Sequence, residues 1–342
     1  MSAKELASER VAVLGAGSWG TALAVSLARK GVSTTLWGRD RAQVELMGQQ
    51  RSNERYLSGI PFPPTLIPQA DVAVAMAAAT LILLVVPSTA FRETLQLLAP
   101  HINADTPVAF ATKGLEPHTY KLLHRVVQEE LGQLRPIAVI SGPTFAREVA
   151  AGLPTAVTVA STDPHYARAL AELMHSETFR AYTSTDVIGV EAGGAVKNVL
   201  AIAAGIADGM QLGANTRAAL ITRGLVEIQR LGVALGGHPE TFMGLAGLGD
   251  LVLTCTDNQS RNRRVGLGLA QGKSVAEIQQ ELGQVAEGIF TAQEVFSLAT
   301  RLGVDMPICR EVFEVLYRGK LARDALQSLL SRRITAEMGR PS

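Results

Sequence analysis

The 342-residue chain is poor in cysteine, in aromatic residues and in any excess of charge. Its two cysteines, Cys255 and Cys309, stand far apart with no C-x-x-C or metal-ligand spacing. That excludes a disulfide framework and fits a reducing compartment. Six histidines, at 101, 118, 124, 165, 175 and 238, show no pairing at i, i+4, so no metal site is expected. With 32 basic against 31 acidic residues, the net charge of +1 gives no general pull toward nucleic acid or a membrane surface. Any anion site must therefore be local. The first ten residues lack the apolar core of a signal peptide, and the apolar stretch Val72 to Val86 is shorter than the roughly 20 residues that span a bilayer. The expectation is a cytoplasmic protein with no membrane insertion.

Small and apolar residues are plentiful. Hydrophobic residues make up 47% and mean hydropathy is +0.19, enough to fill two cores, and the length suggests two domains at about 150 residues each. The stretch around which the chain is organised is Arg10-Val-Ala-Val-Leu-Gly15-Ala-Gly17-Ser-Trp-Gly20-Thr-Ala-Leu-Ala24. A short β-branched run ends at a glycine, and from Thr21 to Lys30 the pattern turns helical. Gly15, Gly17 and Gly20 fit G-x-G-x-x-G, in which the first makes the turn and the second admits a pyrophosphate to the backbone. The third lets helix and strand pack closely. The helix N-terminus then offers unpaired N–H groups and a partial positive charge. Glycine-rich turns also occur between strands and helices that bind nothing. Here a second strand, Ser33 to Trp37, follows one helix later, which gives the βαβ context a dinucleotide site requires.

The end of that second strand bears on the choice of dinucleotide. Trp37-Gly38-Arg39-Asp40 has glycine at the usual acidic position and a basic residue next, so Arg39 suits the 2′-phosphate of NADP(H). Asp40 is close enough to serve the ribose of NAD(H), and both cofactors stay open.

Further along, strands near Thr65–Ile67, Thr80–Val86, Pro107–Ala111, Pro136–Ile140 and Ala156–Ala160 alternate with helices, including Thr119–Leu131 and Asp163–Ser176. This is an α/β pattern, a doubly wound parallel sheet of Rossmann type. From Thr185 strand signals almost vanish, and helices are expected over Val187–Met210, Asn215–Leu235, Asn262–Gln271, Val275–Leu282, Phe290–Leu302, Ile308–Gly319 and Ala322–Arg332. The expected organisation is a flexible N-terminus (1–9), a dinucleotide-binding domain (10–187), an all-helical C-terminal domain for substrate (188–332) and a flexible tail (333–342). Gly15–Gly20, Pro87-Ser88, Lys113 and Ser141–Thr144 all follow strand ends, so they should face one crevice.

Three features point to chemistry there. Between Ala192 and Ala207, Lys197 and Asn198 are the only polar side chains on a helix that is apolar all round, hence buried. A buried lysine is costly unless paired or used, and burial lowers its pKa toward neutrality; the alternative is a lysine snorkelling at a domain edge. Lys113 follows a strand end beside Gly114, on the ligand side of the sheet, where it suits substrate contact, the competing reading being a solvated loop lysine. Ser260 is a plausible N-cap, and with Arg261 and Asn262 it forms a compact phosphate site, the competing reading being a solvated basic turn.

Assembled, these residues resemble the bacterial NAD(P)-dependent glycerol-3-phosphate dehydrogenases. The similarity rests on Gly15–Ala24, Val85–Ser88, Ala111–Glu116, Ser141–Val149, Glu191–Val199, Gly247–Leu251 and Ser260–Arg263. It implies reversible hydride transfer between NAD(P)H and dihydroxyacetone phosphate, giving sn-glycerol 3-phosphate for glycerophospholipid synthesis. By that resemblance Lys197 is the general acid and base, oriented with the substrate by Lys113 and Asp250. Arg261, Asn262 and Asn198 hold the phosphate end, and Gly142, Thr144 and Ser260 match substrate contacts. Ser18, Trp19, Arg39, Ala146, Val285 and Glu287 match cofactor positions, to which Lys113 and Arg261 also contribute. A homodimer is expected from the glycine-containing apolar helices. The competing readings are a ketopantoate reductase or hydroxyacid dehydrogenase of the same build, and a non-catalytic nucleotide sensor.

Overall fold

The computed structural model describes residues 8–333. The expectations for residues 1–7 and 334–342 lie outside the described residues. In chain order the first half runs β1 (Arg10–Leu14), α1 (Ser18–Arg29), β2 (Ser33–Trp37), α2 (Arg41–Gln50), a hairpin of β3 (Ser52–Asn53) and β4 (Leu57–Pro61), β5 (Leu66–Gln69), α3 (Val72–Met76), β6 (Leu81–Leu84), α4 (Phe91–Leu98), β7 (Val108–Phe110), α5 (Leu123–Leu131), β8 (Ile137–Ser141), α6 (Ala146–Ala151), β9 (Thr155–Ala160), α7 (Pro164–Met174) and β10 (Phe179–Ser184). The second half is helical: α8 (Val187–Gly209), α9 (Gly213–Ala234), α10 (Asp250–Thr256), α11 (Arg261–Ala270), α12 (Val275–Leu282), α13 (Glu287–Leu302), α14 (Pro307–Arg318) and α15 (Ala322–Leu330).

Eight strands form one sheet in the order β10-β9-β8-β7-β6-β1-β2-β5. β1, β6, β7 and β8 are fully buried apart from Arg10, as strands covered on both faces must be. Two apolar clusters, one on each face, fill the space between sheet and helices. All pairs are parallel except β8 with β9. The expected all-parallel sheet is thus parallel-dominated. The reversal follows from the short connection after β8, whose six-residue helix α6 is only about 9 Å long. β9 therefore starts at the end where β8 stops.

Three further differences from the expected elements have local causes. β10 is a half-exposed edge strand whose sequence Phe-Arg-Ala-Tyr-Thr-Ser has little apolar signal. The β3–β4 hairpin pairs strands of only two and five residues. The helix expected from Thr119 begins only at Leu123, because His118 and Tyr120 adopt positive φ in the preceding turn.

Helix α8 is the axis of the helical half and packs against α9, α10, α11, α13 and α14, and also against β8. Asp186 caps it, accepting from Gly189 N at 2.8 Å. It is long and apolar enough to cross a membrane, but nearly all of it is buried inside the molecule, as in a core helix. Its glycines allow close approaches. A Cβ on Gly193 would sit 2.6 Å from Ala246 O, and one on Gly205 would run into Arg263 O.

Candidate active site

The turns after β1, β6, β7 and β8 lie at one edge of the sheet, because these four strands are parallel. Gly15 takes φ +118°, and a Cβ there would meet Val85 O at 2.8 Å. A Cβ on Gly20 would collide with Gly15 O, so helix and turn touch directly. Gly17 faces open space, and as the N-cap of α1 it supplies no side chain to the first-turn N–H groups. This cradle fits a dinucleotide pyrophosphate: free donors, an unscreened helix dipole, and room.

Around it, the Ser18 hydroxyl donates to Tyr56 O at 2.7 Å, and the buried indole N–H of Trp19 has no acceptor among the described residues. Gly38 stands where NAD-binding units often carry an acidic side chain, and a Cβ there would be tight against side-chain methyls of Val44 and Ala16 at 3.0 and 3.1 Å. Asp40 is occupied as the N-cap of α2, accepting from Gln43 N at 3.2 Å, and pairs with Arg55 at 3.3 Å. Arg39 is exposed beside them. Ala146 opens α6, half-buried, and Val285 is exposed in the loop before α13.

The facing wall carries a line of charge. Lys197 Nζ, on α8, donates to Asp250 Oδ1 at 2.5 Å and to Thr254 Oγ1 at 2.9 Å. Lys113 Nζ, from the turn after β7, donates to the other oxygen, Oδ2, at 2.7 Å and to Gly142 O at 3.1 Å. Asp250 is fully buried and so bridges two ammonium groups, one per oxygen. Burial pushes the Lys197 amine down to about 8, with Asp250 opposing the fall and Lys113 adding to it. Gly142, at φ +153°, has backbone at 3.0 Å where a Cβ would stand, and Thr144 Oγ1 donates back to Gly142 O at 3.2 Å. The hydroxyl of buried Ser141 has no partner, beside Gly194 of α8.

Next to this line, Ser260 caps α11 by accepting from Arg263 N at 3.2 Å. The N–H groups of Arg261 and Asn262 are left without intrahelical partners. Asn262 Nδ2 donates to Asn198 Oδ1 at 2.9 Å, which fixes the phosphate-type helix start one residue away from Lys197. Glu287, at the start of α13, accepts from the Ser88 hydroxyl at 3.2 Å. Burial raises its carboxyl to about 7 against the pull of Ser88 and Arg261.

Two groups here had no signature in the sequence. Thr254 completes the Lys197 shell one turn after Asp250. Gln284 lies between Ser18 of the glycine turn, at 3.5 Å, and Arg261, at 3.3 Å, and so links the two halves across the crevice. Only the i, i+4 spacing from Asp250 could have pointed to Thr254, and nothing local to Gln284.

A Rossmann-type sheet with its glycine cradle open, facing a buried lysine on a helical half, defines a two-domain nicotinamide-dinucleotide oxidoreductase. Comparison with known proteins narrows the class. Residues 10–167 match the family description "NAD-dependent glycerol-3-phosphate dehydrogenase N-terminus", and residues 186–327 match its C-terminus counterpart. The chain is 56% identical over 323 residues to glycerol-3-phosphate dehydrogenase [NAD(P)+] of Shewanella frigidimarina, covering 94% of this chain and 96% of the relative. The crystal structure of glycerol-3-phosphate dehydrogenase from Coxiella burnetii superposes with TM-score 0.92 at 51% identity, covering 95% and 99% of the two chains. The Saccharomyces cerevisiae enzyme gives 0.80 at 28% identity, covering 93% and 98%. The chain belongs to the NAD-dependent glycerol-3-phosphate dehydrogenases: it is an oxidoreductase using NAD(H) or NADP(H).

Proposed function

We propose that the crevice reduces the ketone of dihydroxyacetone phosphate to sn-glycerol 3-phosphate, reversibly, with Lys197 as general acid and base. The observation that carries this reading is the buried Lys197–Asp250–Lys113 line beside an anion-ready helix start. Bound NAD(P)H supplies the hydride to the carbonyl carbon; Gly15, Gly17 and Gly20, with Ser18, Trp19, Arg39, Ala146, Val285 and Glu287, would hold the cofactor. Lys197 gives a proton from Nζ to the ketone oxygen as negative charge develops there, and takes it back in reverse. A cationic donor in a dry site both stabilises that charge and completes the product, a general-acid contribution of about 10² to 10⁴-fold. Asp250 keeps the lysine charged against its burial, and Thr254 aims it. Lys113 adds positive charge over the substrate end of the sheet, near Gly142 and Thr144. Arg261, Asn262 and Asn198, with the N–H groups freed by the Ser260 cap, suit the phosphate.

The same reading makes residues 10–187 the cofactor domain and 188–332 the substrate domain, feeding glycerophospholipid synthesis in the cytoplasm. Its oligomeric form is a homodimer, supported by exposed Val233, Met243 and Val252 on the helical half and testable by light scattering. The deciding experiment follows absorbance at 340 nm with dihydroxyacetone phosphate and each reduced cofactor, for the native protein and Lys197→Ala. Oxidation by the native chain and a loss of about 10²-fold or more in the variant support the assignment. Cofactor binding without turnover in the native chain would return the sensor reading.

A further inference from the structure

The guanidinium of Arg263, buried at 8% exposure, belongs to none of the groups assigned above. Its Nε donates to Cys255 O, the free carbonyl at the end of α10, at 3.1 Å. Its Nη1 donates to Asn258 Oδ1 in the α10–α11 loop, and its Nη2 to Asp208 Oδ2 of α8 at 2.5 Å. Asp208 is held in turn by Arg217 of α9, at 2.9 Å to Oδ1 and 3.0 Å to Oδ2. One side chain thus ties together α8, which carries Lys197 and Asn198, α10, which carries Asp250 and Thr254, and α11, which carries Arg261 and Asn262. Asp208 is eleven residues along α8 from Lys197, or roughly 16 Å, so the anchor does not reach the reacting atoms.

We propose that Arg263 is a positioning residue for the phosphate of the substrate, setting the N-terminus of α11 against the lysine-bearing helix; this rests on the function proposed above. A planar fork with three bonded nitrogens fixes direction as well as distance, which a lysine ammonium cannot reproduce. Close packing supports the same hinge point. A Cβ on Gly266 would strike Ile202 O, and one on Gly205 would strike Arg263 O, so the two helices touch by backbone and can shift only by sliding. Without the guanidinium the free N–H groups of Arg261 and Asn262 keep their chemistry but lose their aim, and small misplacements of a binding group cost large factors in rate.

The test compares the native protein, Arg263→Lys and Asp208→Asn, each first shown to be folded by circular dichroism. Substrates are dihydroxyacetone phosphate and dihydroxyacetone, which lacks the phosphate. The expected result is a rise of about tenfold or more in KM for the phosphorylated ketone in Arg263→Lys, several-fold larger than any change in KM for NAD(P)H or in dihydroxyacetone turnover. Asp208→Asn should move the same constant in the same direction by less. Equal losses on both ketones, or a stability loss with unchanged KM, would overturn the proposal and leave Arg263 a packing residue. Calorimetric titration of inorganic phosphate in the presence of the cofactor separates this from the reading beneath it. If the native chain turns over neither ketone, the functional reading fails; the anchor still stands if phosphate binds about tenfold more weakly to Arg263→Lys, and falls if binding is unchanged.

Discussion

With Lys197 as the proposed general acid and base, its ionisation state governs how fast each direction is catalysed at a given pH. On that proposal reduction uses the ammonium and its rate should fall as pH rises through about 8, while oxidation of glycerol 3-phosphate uses the free amine and should rise through the same range. Asp250 holds that value up. Asp250→Asn should therefore shift the alkaline limit of reduction to lower pH as well as slow turnover, and pH–rate profiles in both directions read this. An unmoved limit would take Lys197 out of the acid–base role. A second prediction concerns cofactor choice. Gly38 carries no carboxylate and Asp40 is engaged with α2 and Arg55, which leaves exposed Arg39 to meet a 2′-phosphate. Arg39→Ala should raise KM for NADPH by roughly tenfold and leave KM for NADH nearly unchanged. Equal changes for both cofactors would exclude the 2′-phosphate contact.

Among elements, α8 closely approaches the turn that precedes Asp250. Leu245–Gly249 forms a wide π-type turn leading into α10, and Gly193 lets α8 rest on its backbone at Ala246. A methyl group at 193 would push this turn outward and drag Asp250 from Lys197. Gly193→Ala should cost about 1–3 kcal/mol of stability by overpacking, seen as a lower melting temperature. It should also depress kcat more than KM. Wild-type kcat in a destabilised variant would show that the turn can move without disturbing the carboxylate. The glycine turn and the α1 start were legible in the sequence because both are local: spacing alone defines them. Helices α8, α9, α11, α12, α13 and α14 were legible from their apolar content. The direction of β9 and the edge strand β10 were not, since strand direction depends on how far a connection carries the chain, and an edge strand is half in water.

For the molecule as a whole, three buried carboxyls govern the response to pH. Glu227 is raised to about 7 by burial despite accepting from Ile308 N and Cys309 N at 2.7 and 3.0 Å, so it caps α14 from α9. Glu294 is raised to about 8 by burial and by Glu287, and Glu287 itself to about 7. A carboxyl whose folded value lies above its unfolded value favours folding while protonated. Its contribution is complete below the unfolded value near 4.5 and is lost as pH rises through 7 to 8. The melting temperature should therefore fall between about pH 5 and pH 8 and level off above that, by an amount on the order of a few kcal/mol in stability. Glu294→Gln should flatten that slope, since Glu294 Oε2 has no partner to lose; an unchanged slope would remove this carboxyl from the account.

The sequence by itself determined the dinucleotide turn at Gly15–Gly20, the two-part texture with its change near Thr185, and the presence of one lysine where an apolar helix should have none. Each is set by neighbours within a few residues, where backbone geometry and periodicity operate. Only the tertiary structure decided that Asp250 stands between Lys197 and Lys113, that Asn262 meets Asn198, that Gln284 reaches both Ser18 and Arg261, and that Arg263 gathers three helices. Those partners lie far apart along the chain. Their meeting depends on how closely α8, α10 and α11 pack, which the glycines permit but spacing along the chain does not encode.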